Sequence, residues 1–395
     1  MSLILFDDQA RERFFPFTHT RPVADIRCGI LTMRERWEKY FGITGSSTLT
    51  HFSLTPVFPF QSTDDDMYVN GRVVATKDLA RAVKTLNPDQ RLISEDGLLI
   101  AFRTGSASGA LNEVLAHASA FTEIIYPRGV DRLDEVWDIF SKNAAMIGHD
   151  FVLLTSGRIQ EKIPEYVTVI GAENIFIEPG AKVAPCIINA ADGPVYIGED
   201  AEIMEGALVR GPFSLGANAC LKMGAKIYGG TTIGEGCKVG GEVNNAVFFN
   251  HSNKGHDGFI GNAVIGDWCN LGADTNCSNL KNNYDEVKIW NEQLGAPVAT
   301  GLQFCGLLMG DHSKCGINTM FNTGTVVGVS CNIFGAGFPG KFLPSFTWGG
   351  INENAVYRLD KAIEAANRMM TRRNMKLSGG EAAVFEYLFD QQRAK

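Results

Sequence analysis

A six-residue repeat fills residues 195–239, which read VYIGED-AEIMEG-ALVRGP-FSLGAN-ACLKMG-AKIYGG-TTIGEG-CKV. The third place of every unit is aliphatic, and these residues are Ile197, Ile203, Val209, Leu215, Leu221, Ile227, Ile233 and Val239. The first place is nearly always small, and it holds Val195, Ala201, Ala207, Phe213, Ala219, Ala225, Thr231 and Cys237. A helix cannot use this period, because six residues advance a helical wheel by about 600° and spread the side chains around every face. The repeat therefore predicts flat coils of short parallel strands, each with one inward aliphatic side chain.

The composition is that of a globular protein with an acidic balance. The 395 residues have a formal net charge of −8, and 45% are hydrophobic while 20% are charged. An acidic chain argues against a general nucleic-acid surface, and the hydrophobic fraction excludes a disordered protein. No apolar run reaches the roughly eighteen residues of a membrane span, so we expect a cytoplasmic protein without a signal peptide. The nine cysteines include no Cys-x-x-Cys pair, which indicates reduced thiols.

The first part of the chain has a different pattern, in which short apolar runs alternate with helical ones. Glycine is absent before Gly29, whereas residues 171–350 are rich in it. The alternation predicts an α/β layer domain over residues 1–155. Its expected strands are Leu3–Phe6, Met67–Val69, Leu92–Glu95 and Leu98–Phe102, and its expected helices are Ile30–Phe41, Lys77–Leu86, Leu111–Phe121 and Asp134–Met146. Asp96-Gly97 predicts a type I′ hairpin turn between the last two strands.

The repeat predicts a solenoid over residues 165–350 that is interrupted twice. The interruptions fall around residues 244–258 and 279–304, and in a solenoid such interruptions are excursions on one face. Residues 351–395 read as two short helices that need a surface to cover. Asn354 is the expected cap of the first, and Ser378-Gly-Gly-Glu381 forms a capping-box pattern ahead of the second.

Two longer segments resemble a known family. Residues 253–273, NKGHDGFIGNAVIGDWCNLGA, and residues 309–318, MGDHSKCGIN, are similar to the acetyltransferase half of the bifunctional N-acetylglucosamine-1-phosphate uridyltransferase/glucosamine-1-phosphate acetyltransferase. The resemblance covers about residues 165–345. It implies a left-handed parallel β-helix of hexapeptide repeats, a homotrimer, and acetyl-CoA bound in the cleft between neighbouring coils.

The resemblance also implies roles for individual residues. His256 falls on the family's general base, and an imidazole suits this role because it titrates near neutrality; His251 is the competing base. Lys226 and Asn270 fall on contacts to the sugar phosphate and the sugar. Ala273 and Gly335 fall on backbone contacts to the acetyl group and the thioester. A family Asn-Tyr-Asp aligns either at Asn279 without a gap, as a cofactor contact, or at Asn283-Tyr284-Asp285 after an insertion, with Tyr284 binding substrate.

The α/β domain fits the family's uridyltransferase half in position but lacks its phosphate loop. The segment after the first strand contains no glycine, so Arg11, Arg13 and Arg21 are the available phosphate binders. The family's metal-binding Asp is replaced by Arg72, which leaves Mg²⁺ possible but without its usual ligand. The segments Leu5–Asp8 and Thr20–Pro22 resemble a divergent group of sugar nucleotidyltransferase-like proteins that are regarded as alternative versions of the bifunctional enzyme.

These observations favour an enzyme of sugar-nucleotide synthesis, a transferase that N-acetylates an amino-sugar 1-phosphate with acetyl-CoA. Nucleotidyl transfer to a sugar 1-phosphate is assigned to the first domain. A second hypothesis is a regulatory trimer that binds a nucleotide or nucleotide-sugar without turnover. A third takes His251, His256 and His312 as zinc ligands, as in hexapeptide-repeat carbonic anhydrases. We expect partners to be small molecules and other copies of the chain, with no nucleic acid and no membrane.

Overall fold

The computed structural model describes residues 2–105, 109–351 and 354–394. It contains an α/β domain, a parallel β-helix and two C-terminal helices, as the sequence predicts. The α/β domain consists of β1 (Ser2–Phe6), α1 (Met33–Phe41), β2 (Ser47–Leu49), β3 (Asp66–Asn70), α2 (Lys77–Lys84), β4 (Gln90–Ser94), β5 (Leu99–Thr104), α3 (Leu111–Ala118), β6 (Thr122–Tyr126), α4 (Asp138–Ser141) and α5 (Asn143–Thr155). Its six strands have the order β2-β1-β3-β5-β4-β6, with β5 antiparallel to its neighbours.

The β-helix has three faces, and each coil passes from face 1 to face 2 to face 3. Face 1 consists of Thr168–Ile170, Ile187–Asn189, Leu208–Arg210, Lys226–Ile227, the first halves of Glu242–Phe248 and Phe259–Ile265, Asn276–Cys277 and Met320–Phe321. Face 2 consists of Ile175–Ile177, Val195–Ile197, Phe213–Leu215, Thr231–Ile233, the second halves of the two long strands, Leu308–Met309, Val326–Val327 and Phe342–Leu343. Face 3 consists of Lys182–Val183, Glu202–Ile203, Cys220–Leu221, Lys238–Val239, Asn253–Lys254, Asn270–Leu271, Lys314–Cys315, Asn332–Phe334 and Thr347–Gly350, with Asn354–Val356 antiparallel at its end.

The hexapeptide prediction is confirmed by the packing inside the coils. Val209 pairs with Ile227, eighteen residues on, so three units complete one coil. All eight third-place aliphatic side chains are buried in one continuous core that also contains their small first-place neighbours. Successive coils turn from face 2 to face 3 through a residue in the left-handed region, and these residues are Asp200, Asn218, Gly236, His251, Trp268, His312, Ser330 and Phe346. We call the three corners the 1–2, 2–3 and 3–1 corners.

Of the two predicted excursions, only the second is present. Ile265 pairs with Met309, and residues 279–304 of the chain between them leave the wall as an insertion with a hairpin of Lys288–Asn291 and Ala296–Ala299. Residues 244–258 stay in the wall instead. Thr232 pairs with Val247, fifteen residues on, so this coil is shortened rather than extended. The expected excursion at 244–258 is therefore wrong. A shortened coil disturbs the six-residue period as much as an insertion does, so the sequence pattern does not distinguish the two.

Several predicted boundaries differ for local reasons. The first helix begins at Met33 because Thr32 caps it. The expected helix Asp134–Met146 is two helices that meet at Lys142, and the second continues to Thr155. The hairpin turn is not type I′, since the amide of Gly97 donates to the Ser94 carbonyl and Asp96 keeps a negative φ.

At the C-terminus one predicted cap is wrong and the other is confirmed. Asn354 begins a strand instead of capping a helix, and the first C-terminal helix, α6, is Leu359–Thr371. The capping box of Ser378 and Glu381 is confirmed at the start of α7, Gly379–Arg393. Both helices pack over the 2–3 corner, where Phe385 meets Phe346.

The α/β domain and the β-helix share one hydrophobic core. The segment after β1 forms short 3-10 helices at Gln9–Phe14, Phe17–His19 and Val23–Asp25. Phe14 and Phe17 from this segment pack with Val247 and Val264 on the outer side of face 2. The insertion closes over the same face, where Trp290 stacks on Phe342 at 5.2 Å. Face 2 is thus covered within the chain, whereas faces 1 and 3 remain outside this contact.

The predicted state of the cysteines is confirmed, since all nine are free and buried. Among the described helices, none combines the length and the apolar character needed to cross a membrane.

Candidate active site at a corner of the β-helix

Three of the predicted site residues occupy one column on the 3–1 corner. The strand register pairs Asn253 with Asn270, Leu271 with Cys315 and Cys315 with Ile333. Continuing this register places Ala273, Ile317 and Gly335 at equivalent positions of successive coils, and the amide of Asp274 donates to the carbonyl of Asp257 at 3.1 Å, so the turn that carries His256 is the next turn in this column. The amide of Asn318 donates to the carbonyl of Ala273 at 2.8 Å, which holds two of these turns together. The sequence separates the ends of the column by 79 residues, and the repeat aligns them.

His256 presents its imidazole to solvent at this corner. The side chain is exposed and forms no hydrogen bond with the other described residues, while its carbonyl accepts a hydrogen bond from the ammonium of Lys254 at 2.7 Å. Asp257, the next residue, is also exposed. An unengaged imidazole at an accessible turn can exchange a proton with an incoming ligand.

The predicted sugar contacts lie on the two faces that meet at this corner. Lys226 is exposed on face 1, opposite Leu208 and Glu242 in the strand register, and its ammonium forms no ion pair with the described residues. Asn270 lies on face 3, in the coil next to that of His256, and its side-chain oxygen accepts a hydrogen bond from the Asn253 amide at 2.9 Å. Asn270 is therefore part of a structural ladder as well as a candidate ligand contact.

The two candidates for the family Asn-Tyr-Asp lie away from the 3–1 corner. The side chain of Asn279 donates to the Asn262 side chain at 2.8 Å, within a column of asparagines at the 1–2 corner. Tyr284 lies in the insertion that leaves the wall at that corner, and its side chain is 67% exposed. Face 1 separates both residues from His256 of the same chain.

The competing base, His251, lies at a different corner from His256. It is on the 2–3 corner, where its ring stacks on Trp268 at 4.4 Å and Trp268 in turn lies 6.3 Å from His312. Burial and the nearby Arg373 lower the pKa of His251. The expected location of His251 beside His256 in one excursion is wrong, because the face 3 strand Asn253–Lys254 lies between them and places them at different corners. The same separation means that His251, His256 and His312 cannot ligate one zinc ion within a chain.

In the α/β domain, the carboxyl edge of the sheet is occupied by paired charges. Asp8 accepts hydrogen bonds from Asn70 at 2.9 Å and from Arg72 at 2.7 Å, and Arg72 also binds Asp134. A guanidinium thus lies between the two carboxylates, where a divalent cation would need free oxygen ligands. These residues do not fit an Mg²⁺ site, and we derive no nucleotidyl-transfer step from them.

The three predicted phosphate-binding arginines are largely engaged within the chain. Arg11 is buried and donates to the carbonyl of Thr18, and its guanidinium lies 3.5 Å from Asp7. Arg21 is buried between Asp267, at 3.0 Å, and Asp311, and it lies over the ring of Phe249. Arg13 is half exposed and lies 3.5 Å from Glu135. Of the three, Arg13 is the most accessible to an added anion.

Arg21 also borders a cavity of about 570 Å³ where the three parts of the chain meet. The walls come from the α/β domain, from the 2–3 corner and from α7, through residues such as Arg34, Trp268, His312 and Phe385. Neither the cavity nor the pairing of Arg21 with Asp311 has a local signal in the sequence, because the paired residues are 290 positions apart.

Sequence reasoning missed one residue beside His256. Lys254 is 1% exposed and occupies an inward place of face 3, between Val239 and Leu271 of the adjoining coils. One signal in the sequence could have found it. Lys254 follows Asn253 at the strand position where the neighbouring strands of face 3 carry an aliphatic residue.

Comparison with known proteins finds one family match and several similar proteins. Residues 3–159 match the sugar nucleotidyl transferase family. A stretch of 164 residues is 29% identical to the uncharacterized acetyltransferase YaiX of Escherichia coli O6:K15:H31 (strain 536 / UPEC), covering 41% of this chain and 70% of that protein. A stretch of 144 residues is 31% identical to the bifunctional sugar-1-phosphate nucleotidylyltransferase/acetyltransferase of Sulfurisphaera tokodaii, covering 36% of this chain and 35% of that one. A stretch of 156 residues is 31% identical to the bifunctional protein GlmU of Nocardia farcinica, covering 34% and 31%.

Solved structures with matching segments include two acyl-group transferases. The polySia specific acetyltransferase NeuO is 13% identical, with a TM-score of 0.30 and coverage of 53% of this chain and 98% of that one. The Arabidopsis UDP-N-acetylglucosamine acyltransferase is 17% identical, with a TM-score of 0.22 and coverage of 58% and 91%. The matches span about a third of the length of the bifunctional relatives. The predicted enzyme class, a transferase, is confirmed by the curated relatives and by the family match of residues 3–159.

Proposed function

We propose that this chain transfers an acetyl group from acetyl-CoA to the amine of an amino-sugar 1-phosphate at the 3–1 corner. The observation that carries the proposal is the column of His256, Ala273 and Gly335. Successive coils are about 4.8 Å apart, so the column extends over roughly 14 Å. That length suits an extended thioester arm that lies along the corner, with its carbonyl at the end nearest His256.

His256 serves as the general base in this reaction. The amine nitrogen attacks the thioester carbonyl while His256 accepts the proton that the nitrogen loses. A C–N bond forms, the C–S bond breaks, and the coenzyme thiolate leaves with the electron pair. The exposed, unengaged imidazole of His256 supports this role, whereas the stacked and partly buried ring of His251 does not.

Substrate binding uses the two faces beside the corner. The unpaired ammonium of Lys226 on face 1 suits a sugar phosphate, because charge-assisted hydrogen bonds to phosphate oxygens are among the stronger ones. Asn270 on face 3 offers an amide to the sugar hydroxyls, and its partner Asn253 orients that amide.

A homotrimer completes the proposed site. Face 1 carries four large apolar side chains that are 43% to 49% exposed in the single chain. Ile187 pairs with Leu208 in the strand register, whereas Ile170 and Tyr228 lie in a second column with Asn189 and Arg210 between them. Large exposed apolar side chains clustered on one face are typical of a surface that another protein covers. Packing along face 1 brings the 1–2 corner of one copy towards the 3–1 corner of the next, and so brings Tyr284 of a neighbouring copy towards His256.

A second candidate function concerns the α/β domain, which we propose binds a nucleotide or nucleotide-sugar without transferring it. The pairing of Arg72 with Asp8 and Asp134 favours binding over transfer, because both of these carboxylates are already bonded to a guanidinium. Calorimetry with UDP-N-acetylglucosamine, followed by a turnover assay on the same sample with added Mg²⁺, tests this. Binding without turnover supports the proposal, and pyrophosphorolysis or nucleotidyl transfer contradicts it.

The acetyl transfer is tested with the purified full chain, acetyl-CoA and glucosamine 1-phosphate. We expect release of coenzyme thiol and a product heavier than the substrate by one acetyl group. His256→Ala should lower kcat by about 100-fold or more, in line with the loss of a general base. His251→Ala serves as the matched control and should keep most of the activity. Full activity of His256→Ala would show that another group removes the proton.

A further inference from the structure

Lys254 breaks the rule that the inward places of the β-helix are apolar. The corresponding residues of the same column on face 3 are Val183, Ile203, Leu221, Val239, Leu271, Cys315 and Ile333. In this column Lys254 is 1% exposed, and it is among the largest fully buried side chains of the described residues.

The ammonium of Lys254 lies directly beneath the turn that carries His256. It donates to the carbonyl of His256 at 2.7 Å and to the carbonyl of Gly240 at 3.2 Å. Gly241 makes room for it, because a Cβ at that position would lie 2.8 Å from Nζ. Among the described residues, no backbone amide donates to either carbonyl. The lysine side chain thus ties the middle of the 255–258 turn to the shortened coil, beside the backbone bond from the amide of Glu242 to the carbonyl of Gly258 at 3.2 Å.

Burying this cation is costly, and a neutral residue would pack more easily. Removing an ammonium from water disfavours its charged form, and burial lowers the pKa of Lys254 to about 8. Asp257 and Asp274 oppose the shift but lie at the exposed corner. Methionine or leucine would continue the apolar column without this cost. What Lys254 offers at this position, and methionine or leucine would not, is an ammonium that donates hydrogen bonds to two carbonyls.

We infer that Lys254 is a positioning residue for acetyl transfer, which fixes the backbone of the 255–258 turn so that the imidazole of His256 meets the amine in the productive orientation. The inference rests on the proposed function, in which His256 is the base. It assigns Lys254 no contact with substrate, since its side chain is enclosed by the coil.

The decisive variant is Lys254→Met, which removes the donor and suits the apolar column. We expect kcat to fall about 10- to 100-fold, because small misplacements of a catalytic group have effects of that size. The KM for acetyl-CoA should stay within about twofold of the native value, since the contacts that bind it are unchanged. Amide hydrogen exchange in residues 255–258 should become faster. Lys254→Arg keeps hydrogen-bond donors at the site and should recover most of kcat.

Ile203→Ala is the matched control, because it lies in the same column three coils away. It should lower thermal stability while kcat is preserved. An unchanged kcat in Lys254→Met, or an equal loss in Ile203→Ala, would overturn the inference. If Lys254→Met does not fold, Lys254→Arg decides: near-native kcat supports the inference, and a folded but inactive variant overturns it. If the native chain transfers no acetyl group, the proposed function fails, and hydrogen exchange still tests whether Lys254 holds the turn.

Discussion

The guanidinium of Arg21, in the α/β domain, lies 3.0 Å from the carboxylate of Asp267, in the wall of the β-helix. It also binds Asp311 in the next coil, and Thr20 donates to the same Asp311 carboxylate at 2.5 Å. The cluster is buried, and the carboxylates of Asp267 and Asp311 hold the pKa of Arg21 above its usual range. Two carboxylates from successive coils are thus bridged by one cation from the other domain. Arg21 therefore acts as a link between domains rather than as a free anion binder.

Arg21→Ala should strongly destabilise the junction between the domains. It leaves the buried carboxylate of Asp311 without its cation, and breaking a buried pair in this way costs about 3–5 kcal/mol. Urea unfolding followed by tryptophan fluorescence measures the loss. Arg13→Ala, whose ion pair with Glu135 is half exposed, should cost less than about 1 kcal/mol. Equal effects of the two substitutions would show that the buried cluster does not hold the domains together.

Acidification should destabilise the fold through His312. Burial, together with Lys314 and Arg21, lowers the pKa of His312 well below its usual value of 6.5. A group whose folded pKa is lowered binds protons more readily when unfolded, so its contribution to stability is present above pH 6.5 and is lost as the pH falls below it. The slope is about 1.4 kcal/mol per pH unit for one such group.

The pH dependence is measured by urea unfolding between pH 7 and pH 5. His312→Phe keeps an aromatic ring against Trp268 and Phe385 and should remove the part of the slope due to this imidazole. His117→Gln, at an exposed position of α3, should leave the slope as in the native protein. A slope that His312→Phe does not change would assign the acid sensitivity to other groups.

The parts of the fold that follow from a local period could be predicted from the sequence. Ile197 and its successors repeat every six residues, and a period of that length excludes helices and fixes which side chains point inward. The column of His256, Ala273 and Gly335 depends on the same arithmetic, once the length of each coil is known. The coil between Thr232 and Val247 lacks three residues, and no local pattern distinguishes a shortened coil from an excursion. For this reason the sequence placed His251 beside His256.

Contacts between distant segments could not be predicted, because no characteristic number of residues separates the two partners in the sequence. Arg21 has the side chain of a phosphate binder, and only the folded chain shows that Asp267 and Asp311 already neutralise it. Lys254 was missed for a related reason. Its burial follows from the strand register of a coil whose period is disturbed, and a lysine in a polar-looking segment predicts a solvated side chain.

Substitutions at Asn279 and Tyr284 should show which of the two alignments of the family Asn-Tyr-Asp segment is correct. The Asn279 side chain donates to Asn262 inside the 1–2 corner, so Asn279→Ala should cost about 1 kcal/mol of stability through the lost hydrogen bond and should leave kcat/KM unchanged. Tyr284 is exposed on the insertion, so Tyr284→Ala should leave stability unchanged and raise the KM for the sugar phosphate. Thermal unfolding and steady-state kinetics on both variants measure these effects. The opposite result would favour the ungapped alignment at Asn279.

The exposed apolar side chains of face 1 should determine whether copies of the chain assemble, and the assembly should determine the activity. Ile187→Glu places a carboxylate next to Thr168 and Leu208 in the strand register. Burying an unpaired charge in an interface between copies is costly, so the variant should be a monomer in sedimentation or light-scattering experiments. We expect acetyl transfer to be lost with the trimer, because the proposed site needs Tyr284 from a neighbouring copy. Val152→Glu, at an exposed apolar position of α5, is the control and should change neither mass nor rate. A monomeric Ile187→Glu chain with native activity would show that one copy contains the complete site.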